Sequence, residues 1–197
     1  MCDISEKKDH LRTQRFIEEV CPERMFPGAS LNYSDEFCLW KYGRGLTVEI
    51  GTFLGGSSSI LAMHADKVIT MDRFTGRMDY PDFTFESTCK NLEPWPNVKV
   101  LKGDAQDLVT QFADESIDVM NIDGSHMYND VKNDFEAYLP KVKKDGIIIF
   151  HDYAPIWEDV ERYVDELKAE CTEVEFVELI MWCAVFVKKQ REVESES

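Results

Sequence analysis

The chain is poor in positive charge. Among its 197 residues, 22 Lys and Arg stand against 38 Asp and Glu, a formal net charge of −16. No stretch concentrates the basic residues, so a nucleic acid would meet repulsion rather than a receptive patch. Acidity of this kind chiefly serves solubility. The chain also lacks a long apolar run: Leu179 to Val187 is about half of what a membrane-spanning helix requires. Met1 to His10 is polar and charged, which argues against a secretory leader. The six cysteines (Cys2, Cys21, Cys38, Cys89, Cys171 and Cys183) form no CxxC pair and show no metal-like spacing. Free thiols in a reducing compartment are the simplest account. We therefore expect a cytoplasmic protein whose partner is a small molecule, with oligomeric state unreadable.

What the sequence does have is alternation. Residues 5–20 space Leu11, Phe16, Ile17 and Val20 as a helix, and Asp35 to Tyr42 reads as a second. The stretch from Cys21 to Tyr33, with Pro22, Pro27 and Gly28, reads as a loop. From Leu46 onward strands and helices take turns. Strands are expected at Leu46–Ile50, Lys67–Met71, Val98–Lys102, Ile117–Ile122 and Gly146–Phe150, then Val174–Leu179 and Cys183–Val187. Helices are expected near Ser57–Ala65, Phe83–Leu92, Ala105–Phe112, residues 128–139 and Ile156–Ala169. Repeated βα units imply an α/β, doubly wound, mostly parallel sheet of about seven strands with helices on both faces. We expect the last strand to be antiparallel. The domain plan is a helical extension over 1–45, a core domain over 46–189 and an acidic tail over 190–197.

The polar residues fall at one kind of place. In order, the first five strands end on Gly51, Asp72, Gly103-Asp104, Asp123-Gly124 and His151-Asp152. Open α/β sheets bind ligands beyond the carboxyl ends of their strands, so these residues should share a rim. At the first of them, residues 48–59 read VEIGTFLGGSSS. This is a strand, a glycine turn and a helix start with unpaired N–H groups. Asp72 follows Gly51 by 21 residues, which suits a carboxylate on two ribose hydroxyls. A dehydrogenase would use the same acid, but its turn would read GxGxxG. Here the glycines are spaced GxxxGG, which keeps a nucleoside seat and weakens a dinucleotide one.

With VEIGTFLGGSS at 48–58, Asp72, Gly103-Asp104-Ala105 and IDGSHMYNDVKNDFEAYLPKVKKDGIIIFHDY at 122–153, the chain resembles the class I S-adenosylmethionine-dependent methyltransferases. It is most similar to the branch holding macrocin O-methyltransferase and the cephalosporin hydroxylase-like proteins. The resemblance covers residues 46–153 and implies a Rossmann-like methyltransferase sheet. It implies that Glu49 and Gly51 sit against the methionine part of the cofactor, with Thr52, Gly55 and Ser57 nearby. Asp72 would hold the ribose, Asp104 and the Ala105 N–H would read adenine, and Asp123 would lie beside the methyl group. Metal-dependent relatives match Asp123 with a Mg²⁺ ligand and take two more ligands from positions matching His151 and Asp152. In macrocin-type relatives the residue matching His126 is the general base.

This chain departs from that pattern at His151, where macrocin-type relatives carry an acid. Mg²⁺ prefers oxygen in a strict octahedron, whereas Mn²⁺ or Fe²⁺ tolerates mixed nitrogen and oxygen. The divalent cation, Mg or Mn, thus stands as an open expectation. The resulting reading is an O-methyltransferase for a small hydroxylated acceptor such as a sugar or natural product. His126 and Asp123 are its catalytic candidates, and Asp123, His151 and Asp152 its metal candidates. Phe74, Tyr80, Tyr153 and Trp157 are candidate walls for the acceptor. Two alternatives remain at this point: a nicotinamide-dependent oxidoreductase, and a catalytically silent binding protein of the same shape.

Overall fold

The computed structural model describes residues 33–75 and 83–190. The helix expected over 5–20, most of the loop before Tyr33, Tyr80 and the tail beyond Gln190 lie outside these residues. The order begins with α1 (Tyr33–Tyr42), β1 (Leu46–Ile50), α2 (Gly56–Ala62), β2 (Lys67–Asp72) and α3 (Phe85–Asn91). It continues with β3 (Val98–Lys102), α4 (Ala105–Leu108), β4 (Ile117–Ile122), α5 (Tyr128–Tyr138) and β5 (Val142–Phe150). It closes with α6 (Glu158–Glu170), β6 (Val174–Ile180) and β7 (Cys183–Lys188). The described strands form one sheet in the order β3-β2-β1-β4-β5-β7-β6. Strands β1 to β5 are parallel, and β7 runs antiparallel between β5 and β6.

Strand alternation divides the core between the two faces. On β5, Ile148 and Phe150 pack with Val131, Phe135 and Tyr138 of α5 and with Val160, Tyr163 and Val164 of α6. Ile147 and Ile149 turn the other way, toward Cys38 and Leu39 of α1 and Ile60 and Leu61 of α2. Fully burying one such aliphatic or aromatic side chain contributes about 1.5–3 kcal/mol. Both faces are therefore covered, as a parallel sheet requires.

Several boundaries shift by one to three residues, and two differ by four, each for a local reason. β5 starts at Val142 rather than Gly146 because Lys143 to Asp145 form a bulge, not a turn. The register passes from Ile117↔Val142 to Val119↔Ile147 across it, with Asp145 at φ 59° and Lys143 Nζ 2.8 Å from Asp118 Oδ1. The helix expected over 105–112 is α-helical only to Leu108 and tightens into a 3₁₀ turn at Val109–Gln111.

The strand order reverses direction between β1 and β4, and ligand crevices open at such a switch point. Here the two strands pair in parallel and their ends pack closely, with β2 on the other side of β1. Asp123 donates its N–H to Ile50 O at 2.9 Å, and Gly51 donates to Met71 O at 2.8 Å. Gly51 sits at φ +95°, and a Cβ built there would lie 2.0 Å from the carbonyl oxygen of Asp123. Only glycine fits. Gly51→Ala should lower unfolding free energy by more than about 2 kcal/mol, combining backbone strain with a main-chain clash. Urea melts check this, and an unchanged midpoint would contradict so tight a packing.

Candidate active site

A cavity of about 770 Å³ opens at the carboxyl edge of the sheet. Gly51, Asp72, Asp104, Asp123, His151 and Asp152 all line it, so every one of the five expected strand ends contributes. Its size is that of a small-molecule site. Thr52, Ser57 and Ala105 also line it.

Asp72 is held by main chain on both oxygens. Phe53 N–H donates to Oδ2 at 3.1 Å and Phe74 N–H to Oδ1 at 3.0 Å. Both donors adopt left-handed conformations, φ 47° and 50°, which turn their amides toward the carboxylate. Each oxygen retains acceptor capacity for a ligand hydroxyl. Asp104 caps α4, its Oδ1 accepting from Gln106 N at 3.0 Å. Arg73 Nη1 lies 3.9 Å from its Oδ2.

Two expected cofactor residues do not line the cavity. Glu49 has the strand parity opposite to Val48 and Ile50, so it turns under α2. There it is fully buried and accepts from the Ser58 hydroxyl, from Thr70 Oγ1 at 2.8 Å and from Asn121 Nδ2 at 3.1 Å. Gly55 caps α2 at φ 93° and is packed against Leu92. Both hold the turn from behind.

The opposite rim is built around His151. Two residues beyond Ile149, it has the parity of the α1 face, and it is 8% exposed. Its Nδ1 lies 3.3 Å from Asp123 Oδ1 and 3.3 Å from Asp152 Oδ1, and its Nε2 lies 3.4 Å from Asp35 Oδ2. Burial opposes charge on this imidazole, yet the carboxylates of Asp123, Asp152 and Asp35 outweigh it and raise the pKa well above the ordinary histidine range. Asp152 adopts φ 58°, uncommon outside glycine, which breaks strand alternation and returns its carboxylate to the rim. Its Oδ2 lies 2.7 Å from His126 Nε2. Burial pulls Asp152 upward, but His126 and His151 override it and hold the carboxyl well below its usual range. The His126 ring in turn stacks on Trp157, centroids 3.7 Å apart at 22°.

The structure thus brings together all four residues expected on this rim, Asp123, His126, His151 and Asp152. Asp123, His151 and Asp152 also place one donor atom each within 4.8 Å of one another. Both buried ring nitrogens are at ion-pair distance from carboxylates without hydrogen-bond geometry, Nε2 beside Asp35 and, on the cavity side, Nδ1. A divalent ion accepting mixed nitrogen and oxygen would satisfy that atom; the set suits Mn²⁺ or Fe²⁺ better than Mg²⁺.

Of the expected aromatic walls, Trp157 lines the cavity. Phe74 is instead buried with Leu54 and Phe83, and the Tyr153 hydroxyl donates to Asp165 at 2.6 Å, away from the cavity. Trp182 lines the cavity unanticipated, tethered by Tyr153 N–H donating to its carbonyl at 2.9 Å. Asp134 and Asp35 were also missed. Asp134 had a signal: an acid in the inward stripe of α5, between Val131 and Phe135 and Tyr138. Burial raises its pKa to about 6, although Gln106 Nε2 donates to it at 2.8 Å. Asp35 had none, because nothing in the sequence links α1 to β5.

Three comparisons bear on this geometry. Residues 48–153 match the model of a family described as a methyltransferase domain. An uncharacterised protein of Acanthamoeba polyphaga mimivirus is 32% identical over 112 residues, covering 54% of this chain and 50% of the relative. One of Sinorhizobium fredii is 35% identical over 54 residues, covering 27% of this chain and 6% of the relative. The chain thus spans half or less of the curated relatives it matches. Among solved structures it resembles the O-methyltransferase NovP (TM-score 0.66, 16% identity, 95% of this chain and 100% of that one). It also resembles an O-methyltransferase from Bacillus cereus in complex with SAH (TM-score 0.60, 17% identity, 91% and 90% covered). At these identities the structural likeness speaks for the fold.

Buried Glu49 gives the site a pH signature. Burial raises its pKa from the usual 4.5 to about 7, while Ser58, Ser57 and Thr70 hydroxyls partly oppose the rise. The folded state therefore keeps this proton at pH values where the unfolded chain has lost it, and stability falls as pH rises through that window. Relative to Glu49→Gln, the wild type should lose roughly 3 kcal/mol between about pH 4 and pH 8. Urea melts of both proteins across that range test this; a pH-independent difference would contradict it.

Proposed function

Because the chain belongs to the methyltransferase-domain family, we propose that it transfers a methyl group from S-adenosylmethionine to a hydroxyl of a small acceptor. The observation that carries this reading is the division of one cavity into two rims. Asp72, Asp104 and the Gly51 turn form one; Asp123, His126, His151 and Asp152 form the other. When bound, S-adenosylmethionine supplies a methyl carbon on a positive sulfur, which an oxygen displaces in line to leave a neutral thioether.

The residues divide the work by chemistry. Asp72 takes the ribose hydroxyls on the free lone pairs of its two oxygens. Asp104 and the Ala105 N–H face adenine, and Gly51, Thr52 and Ser57 line the methionine end. His126 is the base. Asp152 accepts the proton-bearing Nε2, which leaves the Nδ1 lone pair to take the acceptor's hydroxyl proton as the new C–O bond forms. Stacking on Trp157 fixes the ring plane. A divalent ion on Asp123, His151 and Asp152 would add Lewis acidity, lowering the hydroxyl pKa.

The cavity's charge narrows the acceptor. Asp72, Asp104, Asp123, Asp130, Asp134 and Asp152 line it, and among the described lining residues Arg73 is the only lysine or arginine to oppose them. An uncharged or cationic acceptor suits these walls, and a phosphorylated one does not. Ile156, Trp157 and Trp182 offer it apolar surface.

Calorimetry should give micromolar binding of S-adenosylmethionine that Asp72→Ala weakens at least tenfold, the effect of losing about one charge-assisted hydrogen-bond pair. Absence of binding by the wild type would sink the reading. With an accepted substrate in hand, His126→Ala should lower kcat by about 10²–10⁴-fold and leave cofactor affinity in place. An unchanged kcat would remove His126 from the chemistry.

A further inference from the structure

One member of the His151 cluster lies outside the segment matched to the family. That segment is 48–153, and Asp35 comes from α1, before it. Asp35 is 1% exposed, and Cys183 Sγ of β7 donates to its Oδ1 at 3.7 Å. Its other oxygen, Oδ2, lies 3.4 Å from His151 Nε2. The imidazole therefore has two distinct sides. Nε2 points into the core at Asp35, which does not line the cavity, while Nδ1 points to Asp123 and Asp152, which do.

A neutral histidine offers a lone pair from one nitrogen only, and the hydrogen bond made by the other decides which. We propose that Asp35 is a positioning residue that holds the proton of His151 on Nε2 and so commits Nδ1 as the donor atom facing Asp123 and Asp152. The inference rests on the reading of this rim given above. A carboxylate behind a metal-facing histidine both fixes the ring and raises its basicity, and losing one typically weakens metal affinity 10–100-fold. The geometry gives this histidine one defined donor atom toward the cavity. A ring free to flip or to change tautomer would be a poor donor, whereas a ring locked from behind is a defined one. It also assigns α1 a part in the chemistry, through a residue that touches neither cavity nor acceptor.

The test uses the full chain and Co²⁺ alone as probe, read by its visible absorption on binding, with SAH calorimetry run in parallel. Wild type should bind Co²⁺, and Asp35→Ala should bind it about 10–100-fold more weakly. Asp35→Asn, whose amide oxygen can still accept from Nε2–H, should fall between them. SAH affinity should be the same in all three, which also reports that each variant is folded. In the Zn²⁺-loaded wild type, ¹⁵N spectra should show His151 protonated at Nε2 and ligating through Nδ1. Equal Co²⁺ affinity in wild type and Asp35→Ala would overturn the proposal, as would Nε2 ligation or a wild type that binds no Co²⁺. A wild type that binds Co²⁺ as expected but not SAH would overturn the methyltransferase reading and leave this one standing.

Discussion

Three carboxylates, Asp35, Asp123 and Asp152, converge on one buried imidazole at the end of β5. Acids gathered this closely away from water need a positive partner, either the protonated imidazole or a cation bound at its Nδ1, and removing it would leave uncompensated buried charge. This rim of the cavity is arranged by that requirement. His151 draws in Asp123 from β4, Asp152 from the strand end beside it and Asp35 from α1. Asp152, so held, has its second oxygen free to meet His126, and His126 lies flat on Trp157. Five side chains thus meet at or through one ring.

The sheet supplies the rest. Alternation along β5 sends Ile147, Ile149 and His151 to the α1 face and Ile148 and Phe150 to the α5–α6 face. The positive φ of Asp152 then breaks that rhythm where the strand ends. Across the switch point, β1 and β4 approach so closely that only a glycine fits at 51, which brings the Gly51 turn and Asp123 into one cavity. The close pairing of these strand ends puts Asp72 and Asp104 in the same cavity as His126 and the His151 cluster.

Much of this was legible in the residues, and the reasons are local. β1, β3 and β4 have the bounds their apolar runs predict, because short buried strands bracketed by Gly and Asp leave little freedom. The strand ends on Gly51, Asp72, Asp104, Asp123 and His151-Asp152 lay on one rim as parallel topology demands. Glu49 stands inside the glycine motif, yet strand parity turns it under α2 rather than into the cavity. The early start of β5 was hidden because Lys143-Lys144-Asp145-Gly146 has turn composition and bulges instead. Asp35 was out of reach for a deeper reason. Its partner is more than a hundred residues away, and only tertiary packing brings the two together.

A crystal structure of the protein with SAH and Mn²⁺ would test the two-rim arrangement most directly. The ribose hydroxyls should meet Asp72, the adenine should lie at Asp104 and Ala105, and the sulfur should face Asp123 and His126, with the metal on Asp123, His151 Nδ1 and Asp152. SAH bound elsewhere, or seated with its sulfur turned away from His126, would contradict the assignment of these residues to methyl transfer.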